Sequence, residues 1–376
     1  MTESSAIPEL RGGKSLVSIQ VARGLAALAV VAYHASLTQP KYFSGVDILP
    51  TFFSHGAAGV DLFFVISGFV MVLTTATKHR QPREAGKFLW NRFFRIYPTY
   101  WVYLIALVPV YFLLPGFINS SEGGKVDLAT SFFLLPASTL PLLLVAWTLT
   151  LEVWFYIVFA VILMLPRRFL VPALSVWLIA LVVANLHGVV ATNPFAQVPQ
   201  NPLAIEFIFG GIAALLYCRV NRIMAGVLAV GGIAILIVLA NESQTTSIYG
   251  GPGLIRPLTI GLGFAILLLA ATAFENRGGI GIVGRLKVLG DMSYSVYLCH
   301  VLVLAVTGRV WLLLSAHVGN NAVTVGVWWV ITLVAVLAVG YLSYRLIERP
   351  VMVLSRRWRG RLFREPQLAR PATFVE

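Results

Sequence analysis

Long apolar runs dominate this chain, separated by short polar stretches rich in Arg and Lys. Ten runs reach about 16 to 24 residues, the length a helix needs to cross a hydrocarbon core. They lie near 16–37, 57–77, 98–116, 146–165, 169–186, 202–217, 224–240, 253–274, 290–308 and 323–345. The pattern predicts an all-α fold, a polytopic membrane helix bundle of about ten transmembrane helices. An even number of crossings puts both termini on one side. With both termini cytoplasmic, all but four of the 28 Lys and Arg residues fall on or toward the cytoplasmic side. The exceptions are Lys41, Lys125, Arg256 and Arg309. That asymmetry is the positive-inside bias.

The stretch 128–145, LATSFFLLPASTLPLLLV, is apolar enough to insert, but a crossing there would invert every later loop. Pro136 and Pro141 interrupt it, so it is expected to be re-entrant or interfacial on the outer side. The stretch 78–97 is expected as the most basic inner loop. The expected organisation is a cytoplasmic segment at 1–15, a transmembrane domain at 16–350 and a basic cytoplasmic tail at 351–376.

Composition agrees: 58% of residues are hydrophobic and 11% charged, against about 25% charged in soluble domains. The net charge of +13 invites a nucleic-acid partner, but the basic residues cluster in short loops between spans, which argues against one. Cys218 and Cys299 lie in apolar segments and suggest no disulfide framework. No cleavage site follows the first apolar run, so span one is expected to be an uncleaved signal anchor. No metal-ligand cluster and no internal repeat are evident, and no metal is expected.

Ionisable residues inside spans are costly and mark pathways or reactive sites. Arg23 and His34 stand eleven residues apart in span one, almost three helical turns. They therefore share a face, separated by roughly 16 Å of rise. Span two places Asp61 near its outer end, and span four, WTLTLEVWFY, places Glu152 in its outer half. Span nine, GDMSYSVYLCH, sets Ser293, Tyr297 and His300 on one face. Arg92 and Arg95 stand at the inner start of span three.

Two layers emerge. Arg23, Arg92 and Arg95 form an inner cationic layer suited to phosphate oxygens. His34 with Asp61 or Glu152 forms an outer layer suited to proton abstraction from a hydroxyl. Each residue also has a plainer role. Arg92 and Arg95 can act as positive-inside anchors, Asp61 can cap a helix end, and His34 can bond a neighbouring helix. Ser293, Tyr294 and Tyr297 can satisfy His300 as interhelical glue. His55, His79, His187 and His317 fall in loops and are set aside.

With these motifs the chain resembles the membrane acyltransferase family 3, which includes bacterial polysaccharide and lipopolysaccharide O-acetyltransferases. The resemblance covers about residues 16 to 350 and rests on six phrases in order. These are Arg23-x10-His34; GVDLFFVISGFVM with Asp61 and Ser67; Arg92-x-x-Arg95; WTLTLE with Trp147 and Glu152; Ser293 through His300; and Glu348-Arg349-Pro350. The resemblance implies that His34 is catalytic and that Arg92 and Arg95 bind an acyl-CoA donor. Gln20 stands where many members carry an acid, and Val153 where many carry a second Glu. The LTLEVWFY wording is most similar to the exopolysaccharide acetyltransferase branch.

The expectation is then an O-acetyltransferase of the bacterial inner membrane that takes acetyl-CoA as donor. Arg23, Arg92 and Arg95 would hold the donor. His34 would act with Glu152 and Asp61, and Trp147, Ser293, Tyr297 and His300 would contact substrate or support the site. The expected partners are membrane lipid, a glycan or glycolipid acceptor and polysaccharide-synthesis proteins. Other acceptors, namely a macrolide, a lipo-oligosaccharide or a peptidoglycan sugar, stay open. So does a transporter or flippase, which buried charges across ten spans would also fit.

Overall fold

A computed structural model describes residues 16–43, 45–118, 125–188, 191, 193–239, 253–278 and 286–363. The described residues form helices and no strand. In chain order these are α1 (Val17–Tyr42), α2 (Gly59–Thr75), α3 (Pro82–Leu113), α4 (Leu128–Phe133), α5 (Trp147–Met164), α6 (Leu170–Leu186) and α7 (Pro194–Gln200). There follow α8 (Ala204–Leu216), α9 (Arg222–Leu239), α10 (Leu262–Asn276), α11 (Lys287–Asp291), α12 (Ser293–Val318), α13 (Ala322–Ser343) and α14 (Arg349–Leu362). Among the described residues, nine helical stretches are long and apolar enough to cross a membrane by length and composition. A shorter apolar helix, Arg222–Val238, occupies the position of the seventh predicted span. The protein is a polytopic all-α membrane bundle.

Lipid-facing sides explain the distribution of apolar surface. Ile223, Leu313 and Val323 are 82%, 74% and 74% exposed, an arrangement water would penalise and hydrocarbon does not. Inside, a continuous aromatic core joins Phe64, Phe69, Phe155, Phe159 and Phe207.

Two helix boundaries differ from the hydropathy reading. The basic stretch 78–97 is helical from Pro82 onward, which makes α3 32 residues long. That is about 48 Å of helix, against a core of about 30 Å. Hydropathy registers only the apolar part, but Ala85 and Phe88 bury one face of the basic part too. The basic tail is likewise helical where described. Ala322–Leu362 is one 41-residue helical stretch with a π turn at Tyr344–Glu348. Trp90 Nε1 donates to Ser355 Oγ at 3.1 Å and ties α14 to α3. Residues 1–15 and 364–376 lie outside the described residues.

The stretch 128–145 holds one six-residue helix, α4. Asp127 caps it by accepting from Ala129 N and Thr130 N, and Leu134 ends it at φ 54°. No crossing helix forms there.

Helix ends are satisfied from elsewhere in the bundle. Glu275, in the last turn of α10, accepts from Val17 N at 2.6 Å and Ser18 N at 2.8 Å. It meets the orphan amides that open α1. The α2–α8 contact is backbone on backbone. A Cβ on Gly68 would lie 1.9 Å from Phe207 O, and one on Gly210 would lie 1.9 Å from Val65 O. Each glycine thus admits the other helix's main chain, the small-residue packing that membrane helices favour.

Candidate active site

Five helices converge on a cavity of about 110 Å³. Arg23 comes from α1, Phe63 and Ser67 from α2, and Arg92 and Arg95 from α3. Thr148, Glu152 and Tyr156 come from α5, and Tyr294 and Tyr297 from α12. Glu152 accepts hydrogen bonds from Ser67 Oγ at 2.9 Å and from Tyr156 OH. The Arg92 guanidinium lies over the rings of Phe88 and Tyr156, 5.2 Å from each centroid. Arg95 forms an ion pair with Glu348, which also accepts from Ser295 Oγ at 2.7 Å. Arg92 Nε and Arg95 Nη2 are buried without a hydrogen-bond partner among the described residues. Unmet guanidinium donors are what an anionic ligand satisfies.

The same arginines line a second, larger cavity of about 370 Å³. Its walls carry five cations, Lys78, Lys87, Arg92, Arg95 and Arg359, and one carboxylate, Glu84. Glu84 pairs with Lys87 at 2.8 Å. Val70, Arg92 and Arg95 belong to both cavities. A basic vestibule therefore adjoins an inner chamber across the Arg92–Arg95 pair. The tail helix α14 contributes Met352 and Arg359 to the vestibule wall.

Two histidines follow on from Tyr297, and neither lines the chamber. The rings of Tyr297 and His300 lie 5.7 Å apart, and those of His300 and His34 lie 4.9 Å apart. His34 Nδ1 is 3.0 Å from Val30 O and 3.2 Å from His300 Nε2. Tyr297 OH shares a hydrogen bond of 2.7 Å with Thr148 Oγ1 and donates to Val145 O at 3.1 Å.

Not every candidate meets here. Asp61 does not reach His34: its two oxygens accept from Arg256 Nε at 2.8 Å and Nη2 at 2.6 Å. Glu152 does not reach His34 either, since its partners are Ser67 and Tyr156. Neither carboxylate is therefore in place to orient the imidazole. Ser293 donates to Gly290 O at 2.8 Å and does not line the chamber. Trp147 lines a separate pocket with Thr150, Gln197 and Asn201. Arg23, Arg92, Arg95, Glu152 and Tyr297 do share the chamber.

Sequence reasoning passed over several groups. Tyr156 holds Glu152, and Glu348, which the sequence offered only as part of a closing motif and with no role, holds Arg95. Glu206 is fully buried, and both its oxygens lack a hydrogen-bond partner among the described residues. Its signal, one acid inside the apolar run LAIEFIFGG, matches the one that singled out Glu152.

Comparison with known proteins shows the family. A family model described as an acyltransferase domain matches residues 16–345. The exopolysaccharide production protein ExoZ of Rhizobium meliloti (strain 1021) is 31% identical over 324 residues, covering 82% of this chain and 92% of that protein. The acyltransferase MdmB of Streptomyces mycarofaciens is 27% identical, covering 91% of this chain and 93% of its own length. The peptidoglycan O-acetyltransferase OatA of Listeria monocytogenes is 23% identical across 90% of this chain and 56% of that protein. No solved structure matches. Its motifs, its bundle and these relatives agree: the chain belongs to the acyltransferase family 3 and is a multi-pass membrane acyltransferase.

Proposed function

We propose that this protein is an O-acetyltransferase of the bacterial cytoplasmic membrane, drawing on acetyl-CoA and acylating a hydroxyl of a cell-surface polysaccharide or its glycolipid precursor. The observation that carries this reading is the continuity of charge and chemistry. A vestibule with five cations adjoins a chamber whose wall includes Tyr297, and Tyr297 packs against His300 of the His34–His300 pair. The nucleotide phosphates of the donor suit the vestibule, where guanidinium donors are unmet. The pantetheine arm suits the chamber beyond Arg92 and Arg95.

His34 Nε2 serves as base. It removes the proton of the acceptor hydroxyl while that oxygen attacks the thioester carbonyl. The new ester C–O bond forms, the C–S bond breaks, and the proton passes to the departing sulfur as free thiol. The polysaccharide acceptor is supported by the relatives' names, which include exopolysaccharide production and peptidoglycan O-acetylation. The positive-inside distribution of Lys and Arg supports a vestibule open to the cytoplasm.

The test is acetyl-CoA-dependent thiol release in membranes carrying the wild-type chain or His34→Ala, with a crude glycolipid acceptor. Release that requires acceptor and vanishes with His34 is expected. Equal release by both chains would remove His34 from the chemistry. No release by a well-folded wild-type chain, across several donors and acceptors, would favour a carrier. Labelled acyl-His34 trapped without acceptor would replace direct attack with a two-step transfer.

A further inference from the structure

The hydrogen bonds around the two histidines determine where their protons sit. A carbonyl oxygen only accepts, so a ring nitrogen held against one carries the hydrogen. His300 Nδ1 is 2.7 Å from Tyr297 O, and His34 Nδ1 is 3.0 Å from Val30 O. Both Nδ1 atoms are therefore protonated. His300 Nε2, 3.2 Å from His34 Nδ1, is then a lone pair facing an N–H. A hydrogen on that Nε2 as well would set two N–H groups against each other. It would also make His300 a cation at 0% exposure with no carboxylate in contact, a costly state.

From this geometry we infer that neutral His300 is the positioning residue for His34. It shares the Nδ1 hydrogen with Val30 O, holds the ring's orientation from α12, and so keeps Nε2 presented as the basic atom. His34 Nε2 takes no hydrogen bond among the described residues. His300 thus fills the place a carboxylate commonly holds behind a catalytic histidine. Asp61, Glu152 and Glu348 are engaged elsewhere, with Arg256, with Ser67 and Tyr156, and with Arg95 and Ser295.

The inference deepens the acyl-transfer reading and rests on it for its role in turnover. In the proposed step the hydroxyl proton arrives at His34 Nε2 and leaves from it to sulfur. His300 keeps its own Nδ1 hydrogen throughout, and only its hydrogen bond to His34 Nδ1 tightens while the imidazolium exists. Being neutral, it orients the ring without trapping that imidazolium as a stable ion pair.

The experiment uses the full chain in nanodiscs with 15N-histidine, and His34 is assigned by the signal missing in His34→Gln. Wild type is expected to show His34 as Nδ1–H with an unprotonated Nε2, and His300→Met is expected to keep that form through Val30 O while its Nδ1–H resonance shifts as the second acceptor is lost. In thiol release His300→Met should lose about 10²-fold in kcat, with KM for acetyl-CoA within about twofold. His300→Gln, whose Oε1 can accept where Nε2 did, should recover to within about tenfold of wild type. The assignment holds when His34→Gln keeps the remaining histidine signals of wild type, which shows that the variant is folded. Wild-type His34 as Nε2–H, or His300→Met turning over like wild type, would overturn the inference. The Nδ1–H form without thiol release would overturn acyl transfer and keep the tautomer. Thiol release with an Nε2–H His34 would do the reverse.

Discussion

Arg256 grips Asp61 edge-on, with Nε 2.8 Å from Oδ1 and Nη2 2.6 Å from Oδ2. The pair joins α2 to the π turn that leads into α10 and is almost completely buried. Removing one partner leaves a bare charge, which costs about 3–5 kcal/mol. Asp61→Leu and Arg256→Met should each lower the thermal midpoint of the detergent-solubilised protein sharply. The double substitution should recover much of the loss. A double variant no more stable than the worse single one would show that the site needs the ions themselves.

Arg92 and Arg95 look equivalent in the sequence and are not in the fold. Arg95 neutralises Glu348, which is 2% exposed, whereas Arg92 rests on two aromatic rings. Arg95→Gln should therefore destabilise the bundle by about 3–5 kcal/mol. Arg92→Gln should leave the melting temperature nearly unchanged and raise KM for acetyl-CoA about tenfold, as loss of a charge-assisted hydrogen bond predicts. Thermal melts and donor titrations on both variants check the contrast.

Ser67 and Tyr156 donate to the same oxygen of Glu152. Hydrogen bonds to a charged group contribute about 1.5–3 kcal/mol each. Ser67→Ala and Tyr156→Phe should each reduce kcat/KM, and their combination should depart from additivity by about 0.5–3 kcal/mol. A double-mutant cycle on thiol release measures that coupling. Strict additivity would mean the two hydroxyls act on different groups.

Gly68 and Gly210 each leave room for the opposing main chain. Any side chain at either position must push α2 and α8 apart. Gly68→Ala should lower yield and stability, whereas an ordinary helix Gly→Ala change is favourable by about 1 kcal/mol. Gly226, which meets nothing within 4 Å, is the internal control. Equal responses at the two sites would refute the close approach.

Much of this architecture can be read from hydropathy and punctuation alone. Ten apolar runs correspond to helices, and Pro136 and Pro141 mark a stretch that does not cross. The basic start of α3 was hidden because a helix can leave the hydrocarbon layer while keeping one face packed, as Ala85 and Phe88 do. Hydropathy averages over faces and misses it. The site was legible as a set of residue types but not as a set of partners. Asp61 and Ser67 share α2, yet one meets Arg256 and the other Glu152. Those pairings follow from helix rotation and crossing, which no local pattern encodes. His34 and His300 are 266 positions apart, and only the α1–α12 contact reveals that each is the other's partner.

The charged vestibule has a consequence for regulation. Under the proposed donor, its five cations would hold the nucleotide phosphates, which acetyl-CoA and the spent carrier have in common. Binding of that kind strengthens ground state and product alike and does not speed the chemical step. Free CoA should therefore compete with acetyl-CoA at nearly equal affinity, and added salt should weaken both together. Flux through the enzyme would follow the ratio of charged to discharged carrier in the cytoplasm, coupling surface modification to the cell's acetyl supply.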